Sequence, residues 1–267
     1  MRKARRGLFI VGRPQLWVGV AAACALLLGL YLPATTPAAS VHEPAQAAAA
    51  VAGVIAPQPV SPRTAVPTVD CSVQACLALT FDDGPNPTVT PLILDALERH
   101  HARATFFVLG NRVPGNEALL RRMYQDGHEV GSHSWSHPDF TTLNLEQMQQ
   151  QITQTQAIVM AAGLPAPTLF RPPYGAVNAV VKNRIPMTLA MWNVDPEDWH
   201  TKDPKKIIAR VEAGAARGRV VDMHDTHQPT ADSLDQLVVE LQQQYQLVTF
   251  SELFDLAPGQ PGVFYGR

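Results

Sequence analysis

The stretch LTFDDGPN, residues 79–86, places two aspartates side by side where an apolar run ends. The run CLALTF predicts a β-strand, and a Gly-Pro turn follows the aspartates directly. Asp82 and Asp83 therefore lie at the carboxyl end of the predicted strand. Their like charges repel each other unless a cation lies between them or the two groups have different tasks.

Strands and helices alternate along the chain from residue 76 to residue 254. Asn144 and Gly163 are typical N-terminal and C-terminal caps of one long predicted helix, and a short helix is expected near residues 177–183. This alternation predicts a parallel sheet covered by helices, either open or closed into a barrel, with too few strands for an eightfold barrel. The seven predicted strands lie in the runs CLALTF, ATFFVLG, HEVGSHS, TLFRPPYG, MTLAMWNV, RVVDMH and LVTFSELF.

The N-terminal quarter differs from this pattern. A basic opening, MRKARR, precedes the apolar run 16–32, which predicts a signal peptide or a signal anchor over residues 1–33. The Ala- and Pro-rich segment 34–69 predicts a linker, residues 70–257 a catalytic domain and residues 258–267 a C-terminal tail. The domain is therefore expected outside the cytoplasm, secreted or anchored to the membrane by an uncleaved N-terminal segment.

Composition and cysteine spacing limit the other partners. The 267 residues carry a net charge of −2, which gives no reason to expect nucleic acid. Cys71 and Cys76 lie just before the first strand, and in an extracytoplasmic protein this spacing predicts a disulfide. Metal binding is the weaker interpretation of this pair, because the domain has no other cysteine.

Polar residues cluster at the predicted carboxyl ends of the strands, where reactive groups of parallel α/β folds gather. The histidines of HSWSH are spaced so that a helical turn would point both imidazoles the same way, and an added aspartate would complete a two-His, one-carboxylate metal site. That ligand set also occurs in non-haem iron oxygenases, so it does not choose the reaction. The clustered residues are Asp82, Asp83, His133, His137, Arg171, Asp195 and His224.

A glycosidase acid/base pair is an alternative interpretation of Asp82 and Asp83. Such carboxyl groups flank the sugar from opposite sides, about 5–9.5 Å apart. Adjacent residues fit that geometry poorly, and the nearby histidines would have no task.

The motifs TFDDGP, HSWSH, RPPYG, DPEDW and MHD follow the order and approximate spacing of the polysaccharide deacetylase family, carbohydrate esterase family four. The resemblance covers residues 76–254 and implies an irregular (β/α)7 barrel. The stretches VDCSVQACLALTFDDGP and RPPYGAVN resemble those of secreted or membrane-anchored actinobacterial members.

The resemblance also implies a role for each matching residue. It makes Asp83, His133 and His137 the ligands of a divalent metal, most often zinc, with cobalt or nickel also accepted. The remaining roles fall to residues around that metal. These are Asp82 as general base, Arg171 as its partner, the Tyr174 backbone N–H as oxyanion donor, His224 as general acid, Asp195 as the group that holds the His224 ring, and Trp199 packed beside His224.

The expected activity is removal of acetyl groups from N-acetylglucosamine-containing polysaccharides, either peptidoglycan or chitin and its oligosaccharides, by a monomeric catalytic domain. The same site is compatible with an acetylxylan O-deacetylase. One departure from the family supports a third interpretation, a glycan-binding pseudoenzyme. Asp222 lies two residues before His224, where the family normally has a leucine that walls the acetyl pocket. A carboxylate buried there would be costly.

Overall fold

The computed structural model describes residues 60–62 and 69–266. The predicted signal segment 1–33 and most of the predicted linker 34–69 lie outside these residues. Within the described part of the chain, no helix is long and apolar enough to cross a membrane.

Eight parallel strands form one sheet, in the order β6-β1-β2-β3-β4-β5-β8, with β7 also paired to β1. Their helices alternate with them, so the βα pattern predicted from the sequence is confirmed. The strands are β1 (Cys76–Asp82), β2 (Thr105–Val108), β3 (Glu129–Ser132), β4 (Leu169–Phe170), β5 (Thr188–Ala190), β6 (Val220–His224), β7 (Gln246–Val248) and β8 (Gly262–Phe264).

In the part of the chain that the structure describes, seven α-helices connect or follow these strands. The long helix begins as predicted, since the Asn144 side chain accepts from Gln147 N and the Gln147 side chain caps Asn144 N in return. Gly163 follows that helix with φ of 97°, as expected for the residue after a helix end. The helices are α1 (Thr90–Arg99), α2 (Glu117–Gln125), α3 (Leu145–Ala161), α4 (Ala179–Arg184), α5 (Pro204–Gly214), α6 (Gln228–Gln242) and α7 (Phe250–Phe254).

The sheet curls into an irregular barrel. After β5 the chain bends so that Val194 pairs with Val221 of β6 through a single parallel bridge. The N–H of Asp222 donates to the carbonyl of Val194 at 2.9 Å, which fixes this contact. The bridge brings the segment after β5 to the far edge of the sheet, in agreement with the expected irregular barrel.

Two predictions near the C-terminus were wrong. The run LVTFSELF is not one strand, because Thr249 forms a capping box with Glu252 and starts α7 there. The predicted tail 258–267 contains β8, in which Val263 pairs with Leu189 of β5. A three-residue strand has little pattern of its own, and it forms here because β5 offers it a free edge.

Every residue of β1 is buried, and this strand pairs with three others, β2, β6 and β7. Phe81 stacks on Phe106 of β2 with ring centroids 5.1 Å apart, inside the cluster that α1 and α6 also cover. The predicted disulfide between Cys71 and Cys76 is present and holds the start of β1. The strand that ends in the two aspartates is therefore fixed on both faces and at its beginning.

Candidate active site

The backbone separates the two adjacent aspartates. Asp82 is the last residue of β1 and is buried, whereas Asp83 has φ of 73°, in the left-handed region. Successive strand residues normally point to opposite faces, and this conformation breaks the alternation. Both carboxyl groups consequently reach the same cleft.

The HSWSH segment after β3 is a loop, not the predicted helical turn. Ser134 and His137 both have positive φ, at 78° and 62°. Gln151 of α3 holds the loop, since its Oε1 accepts from the N–H groups of Trp135 and Ser136 at 2.9 Å each. The two histidines converge because this loop curls, and not because they share a helical turn, as the H-x3-H spacing suggested.

Asp83, His133 and His137 form a compact group. Asp83 Oδ1 lies 3.7 Å from His133 Nε2 and 3.6 Å from His137 Nε2, and the three ligand atoms all lie within 4.8 Å of one another. Tetrahedral zinc with bonds of about 2.0–2.2 Å holds its ligand atoms at roughly 3.3–3.6 Å, close to the two distances from Asp83 Oδ1. Asp83 Oδ1 is buried without a hydrogen-bond partner, as expected of an oxygen kept for a cation.

The protonation of the histidines suits the same role. His133 Nδ1 donates to the carbonyl oxygen of Arg171 at 2.8 Å, which leaves the Nε2 lone pair directed at Asp83 and His137. Burial lowers the pKa of His133 to about 3, so the ring is neutral. Burial also lowers the pKa of His137. This donor set fits a divalent metal.

Arg171 is fully buried and pairs with Asp82, as the resemblance implied. Its Nη1 donates to Asp82 Oδ1 at 2.8 Å, and its guanidinium lies over the Phe107 ring at 4.1 Å. Burial raises the pKa of Asp82 to about 6, and the charge of Arg171 partly offsets that effect. The other Asp82 oxygen, Oδ2, lies 3.5 Å from His133 Nε2 and thus faces the metal ligands.

Asp222 shares the same guanidinium. Arg171 Nη1 donates to Asp222 Oδ1 at 2.6 Å, and the Asp222 side chain is almost completely buried. Burial, followed by the charge of Asp82, raises the pKa of Asp222 well above its usual value. One guanidinium therefore serves two buried carboxyl groups, Asp82 and Asp222.

The partner of His224 is Asp198, and the prediction of Asp195 was wrong. His224 Nδ1 donates to Asp198 Oδ1 at 2.8 Å, and Asp198 Oδ2 accepts from the His224 N–H at 2.7 Å and from Thr230 Oγ1 at 2.6 Å. Asp195 is exposed and accepts from Glu197 N at 2.7 Å. The turn DPED leaves its first carboxylate exposed at the cleft and buries its last one against His224.

This contact changes the acidity of His224. Burial lowers its pKa, but the hydrogen bond and charge of Asp198, together with the charges of Asp222 and Asp82, raise the pKa to about 10. The imidazolium is therefore the stable form at neutral pH, and its Nε2 proton is available to an acceptor in the cleft. The second aspartate of DPEDW was the sequence signal for this partner, since the motif contains two.

Two aromatic residues flank the site. Tyr174 has φ of 60°, is 70% exposed, and packs its ring against His137 with centroids 4.5 Å apart. Trp199 is also exposed, has His200 as its ring partner at 5.4 Å, and shares the cleft with His224. The cleft has a volume of about 480 Å³, within the usual range of small-molecule sites. It is lined by Asp82, Asp83, His133, His137, Tyr174, Trp192, Asp195, Trp199, Asp222 and His224.

Comparison with known proteins agrees with this geometry. The model of the family described as "Polysaccharide deacetylase" matches residues 70–187. A peptidoglycan-N-acetylglucosamine deacetylase of Bacillus cereus is 36% identical over 66% of this chain and 87% of its own length. The chain belongs to the polysaccharide deacetylase family.

Other relatives match a similar share of this chain. The peptidoglycan-N-acetylmuramic acid deacetylase PdaC of Bacillus subtilis is 46% identical over 70% of this chain and 40% of its own length. The solved PdaC structure matches with a TM-score of 0.67 over 70% of this chain and 93% of that one. A family 4 acetyl xylan esterase from Clostridium thermocellum, solved with a cobalt ion, is 32% identical, with a TM-score of 0.67 over 72% and 98% of the two chains. This chain thus spans about two fifths of the length of the first curated relatives that it matches.

Proposed function

We propose that this protein is a metal-dependent deacetylase that removes N-acetyl groups from N-acetylglucosamine-containing polysaccharides, peptidoglycan or chitin. The proposal rests on the observation that two groups of residues line the same cleft. One group is the Asp83, His133 and His137 cluster with Asp82 beside it, and the other is His224 held by Asp198. Peptidoglycan deacetylases among the relatives support the choice of substrate.

A divalent cation held by Asp83, His133 and His137, zinc with cobalt or nickel as substitutes, would supply Lewis acidity at the acetamide carbonyl and lower the pKa of water. Asp82 Oδ2 is the carboxylate oxygen turned toward these ligands, and it would accept a proton from the attacking water. Arg171 orients Asp82 through Oδ1, so the base keeps one position during the reaction.

The second half of the reaction, in which the amine leaves, would involve His224, Asp198 and the Tyr174 backbone. The carbon–nitrogen bond of the acetamide breaks, the acetyl carbon retains the water oxygen as acetate, and the nitrogen leaves as an amine. His224 would give its Nε2 proton to that nitrogen, and Asp198 would stabilise the imidazolium before the transfer. The Tyr174 backbone N–H is proposed to donate to the carbonyl oxygen as its charge develops.

The place of action is part of the proposal. The basic and apolar segment within residues 1–33 supports secretion or anchoring at the membrane with the catalytic domain outside the cytoplasm. The Cys71–Cys76 disulfide supports the same placement, because such bonds persist in oxidising compartments. A domain tethered by a linker on the outer side of a membrane would meet cell-wall glycan as a monomer.

Two alternatives rest on specific observations. The similarity to a family 4 acetyl xylan esterase supports O-deacetylation of xylan by the same groups. The hydrogen bond from Arg171 to Asp222 supports a glycan-binding protein without turnover, since it competes with the bond to Asp82. Restoration of turnover by Asp222→Leu in an inactive wild type would select the second alternative.

Acetate release from a substrate panel tests the proposal. The panel contains peptidoglycan glycan strands, chito-oligosaccharides and acetylated xylan, each assayed before and after chelation and after return of zinc or cobalt. We expect acetate from the N-acetylated glycans, loss on chelation and recovery with metal. Asp82→Asn should abolish release, whereas Asp232→Asn, a matched change on the exposed face of α6, should not. Metal-independent turnover would disprove the mechanism.

A further inference from the structure

A second cavity opens beside the active-site cleft. It has a volume of about 370 Å³ and lies between the segment after Asp83 and the 3₁₀ turn Gly110–Arg112 with the residues that follow it. Three prolines form much of its wall, and proline restricts backbone motion, so the cavity is largely preformed. Its lining residues are Pro85, Asn86, Pro87, Asn111, Arg112, Pro114 and Asn116.

Backbone hydrogen bonds fix this cavity relative to the proposed metal ligands. The N–H of Leu109 donates to the carbonyl of Gly84, the residue after Asp83, at 2.9 Å. The N–H groups of Gly110 and Asn111 donate to the carbonyls of Ser134 and Trp135 at 3.0 Å each, inside the loop that carries His133 and His137. The segment that presents Arg112 is therefore bonded to both metal-ligand loops.

Arg112 is the cationic group of this cavity. Its guanidinium is exposed, and within residues 60–62 and 69–266 no hydrogen bond or ion pair engages it. Several other arginines of the described domain are paired, for example Arg99 with Asp235 and Arg122 with Asp95. Burial lowers the pKa of His227, which lies next to His224, and the charge of Arg112 contributes to that lowering, so its field reaches the cleft.

The rest of the lining suits a sugar more than an apolar ligand. Asn111 presents an exposed side-chain amide beside Arg112, whereas the Asn86 side chain is used to accept from the N–H groups of Thr88 and Val89. A forked guanidinium with a neighbouring amide is a donor set that matches a carboxylate. Acidic side chains, which would repel such a ligand, are absent from the lining given above.

We infer that this cavity, here named the Arg112 subsite, binds a carboxylate carried by the glycan while the neighbouring N-acetyl group lies at the metal ligands. The inference rests on the proposed deacetylase function and narrows its substrate to acidic glycans such as peptidoglycan, in preference to neutral chitin. The carboxylate can come from the lactyl ether of muramic acid or from a peptide attached to it.

The test compares Arg112→Ala with the wild-type full chain on three glycans of equal length: a neutral chito-oligosaccharide, a peptide-free muramyl glycan and the same glycan with its peptide. We expect kcat/KM on the acidic glycans to fall about tenfold through KM, and to change less than about twofold on the neutral one. A loss confined to the peptide-free glycan assigns the lactyl carboxylate, because this group becomes an amide once the peptide is attached. A loss only with the peptide present assigns a peptide carboxylate, and a loss on both acidic glycans shows that the subsite accepts either carboxylate. Salt should weaken the wild-type preference and not that of the variant.

Arg99→Ala is the matched control, because Arg99 ends α1 at the opposite end of the barrel from the cleft. It should leave the ratio of acidic to neutral activity unchanged. Equal effects of Arg112→Ala on all three glycans, or no effect, would overturn the inference.

A binding measurement separates this inference from the proposed function. Calorimetric titration of the acidic glycans into Asp82→Asn, with and without Arg112→Ala, requires no turnover. If the wild type releases no acetate, the proposed function fails, and the subsite still stands or falls on whether Arg112→Ala weakens that binding about tenfold.

Discussion

Asp198→Asn tests whether the buried contact to His224 controls the acid step. The pKa of His224 rises from 6.5 to about 10, a preference for the imidazolium of about 5 kcal/mol at ~1.4 kcal/mol per pKa unit. Two of the causes that raise it, the hydrogen bond and the charge, come from Asp198, and burial opposes them. Asparagine keeps the size of the side chain but removes the charge, so the pKa of His224 should fall toward 6.5 or lower.

The sign of the pH effect follows from the role of an acid. His224 can donate only while protonated, so activity is lost as the pH rises through its pKa. In the wild type this loss lies at high pH, and in Asp198→Asn it should begin more than one pH unit lower. At neutral pH we expect kcat/KM to fall by about 10²–10⁴-fold, as when a buried aspartate that orients a catalytic histidine becomes an amide.

The assay is acetate release from a soluble N-acetylated oligosaccharide between pH 5 and 10, with bound metal measured on the same samples. Asp195→Asn is the discriminating comparison, because Asp195 lies three residues away but is exposed. That variant should keep the alkaline limb of the wild type. Circular dichroism checks folding, since Asp198 also accepts from Thr230 Oγ1. A shift of the limb in Asp195→Asn and not in Asp198→Asn would refute the reasoning.

Three further predictions concern other parts of the domain. Asp83→Ala should lose bound metal, whereas Asp82→Asn should keep it and lose turnover; elemental analysis with an activity assay checks both, and equal metal loss would contradict the division of roles. Asp222→Asn should remove a pH dependence of the free energy of unfolding. Because the pKa of Asp222 is raised in the folded state, the wild type should lose stability, relative to the variant, as the pH rises above about 4. Melting temperatures of both proteins from pH 4 to 8 measure this difference. Replacing Cys71 and Cys76 by serine should lower the free energy of unfolding by about 2 kcal/mol, because the closed loop is short; denaturant unfolding should give the same value for the reduced wild type.

The fold was largely readable from the sequence because its signals are local. The central strand β1 is an apolar run, and the longest helix carries its own caps, as Asn144 and Gly163 illustrate. The elements that were missed depend on distant partners. The strand β8 exists through its pairing with β5, and the bridge from Val194 to Val221 closes the sheet without any strand pattern.

The residue types of the site could be predicted from the sequence, whereas the contacts between them could be predicted less well. The metal-ligand candidates and Asp82, the proposed base, lie in one cleft, because their strands end at one edge of the sheet. The wrong partner for His224 shows the limit of this argument. A motif that contains Asp195 and Asp198 within four residues does not reveal which carboxylate turns inward, since the backbone of the turn decides it, and Glu197 has φ of 53° there.

The packing around Gly84 explains how a strained aspartate is kept in place. A positive φ at a non-glycine residue costs about 1 kcal/mol or more, so Asp83 needs surroundings that enforce it. A Cβ on Gly84 would lie 2.0 Å from Asp225 Oδ2, so only glycine lets the loop lie this close to β6. Asp225 in turn accepts from Thr90 Oγ1 at 2.6 Å and donates its N–H to the Asp82 carbonyl at 3.3 Å. Asp225, the residue after His224, thereby fixes the loop after Asp82. The segment that carries the proposed acid, His224, and the segment that carries the proposed base, Asp82, thus stabilise each other.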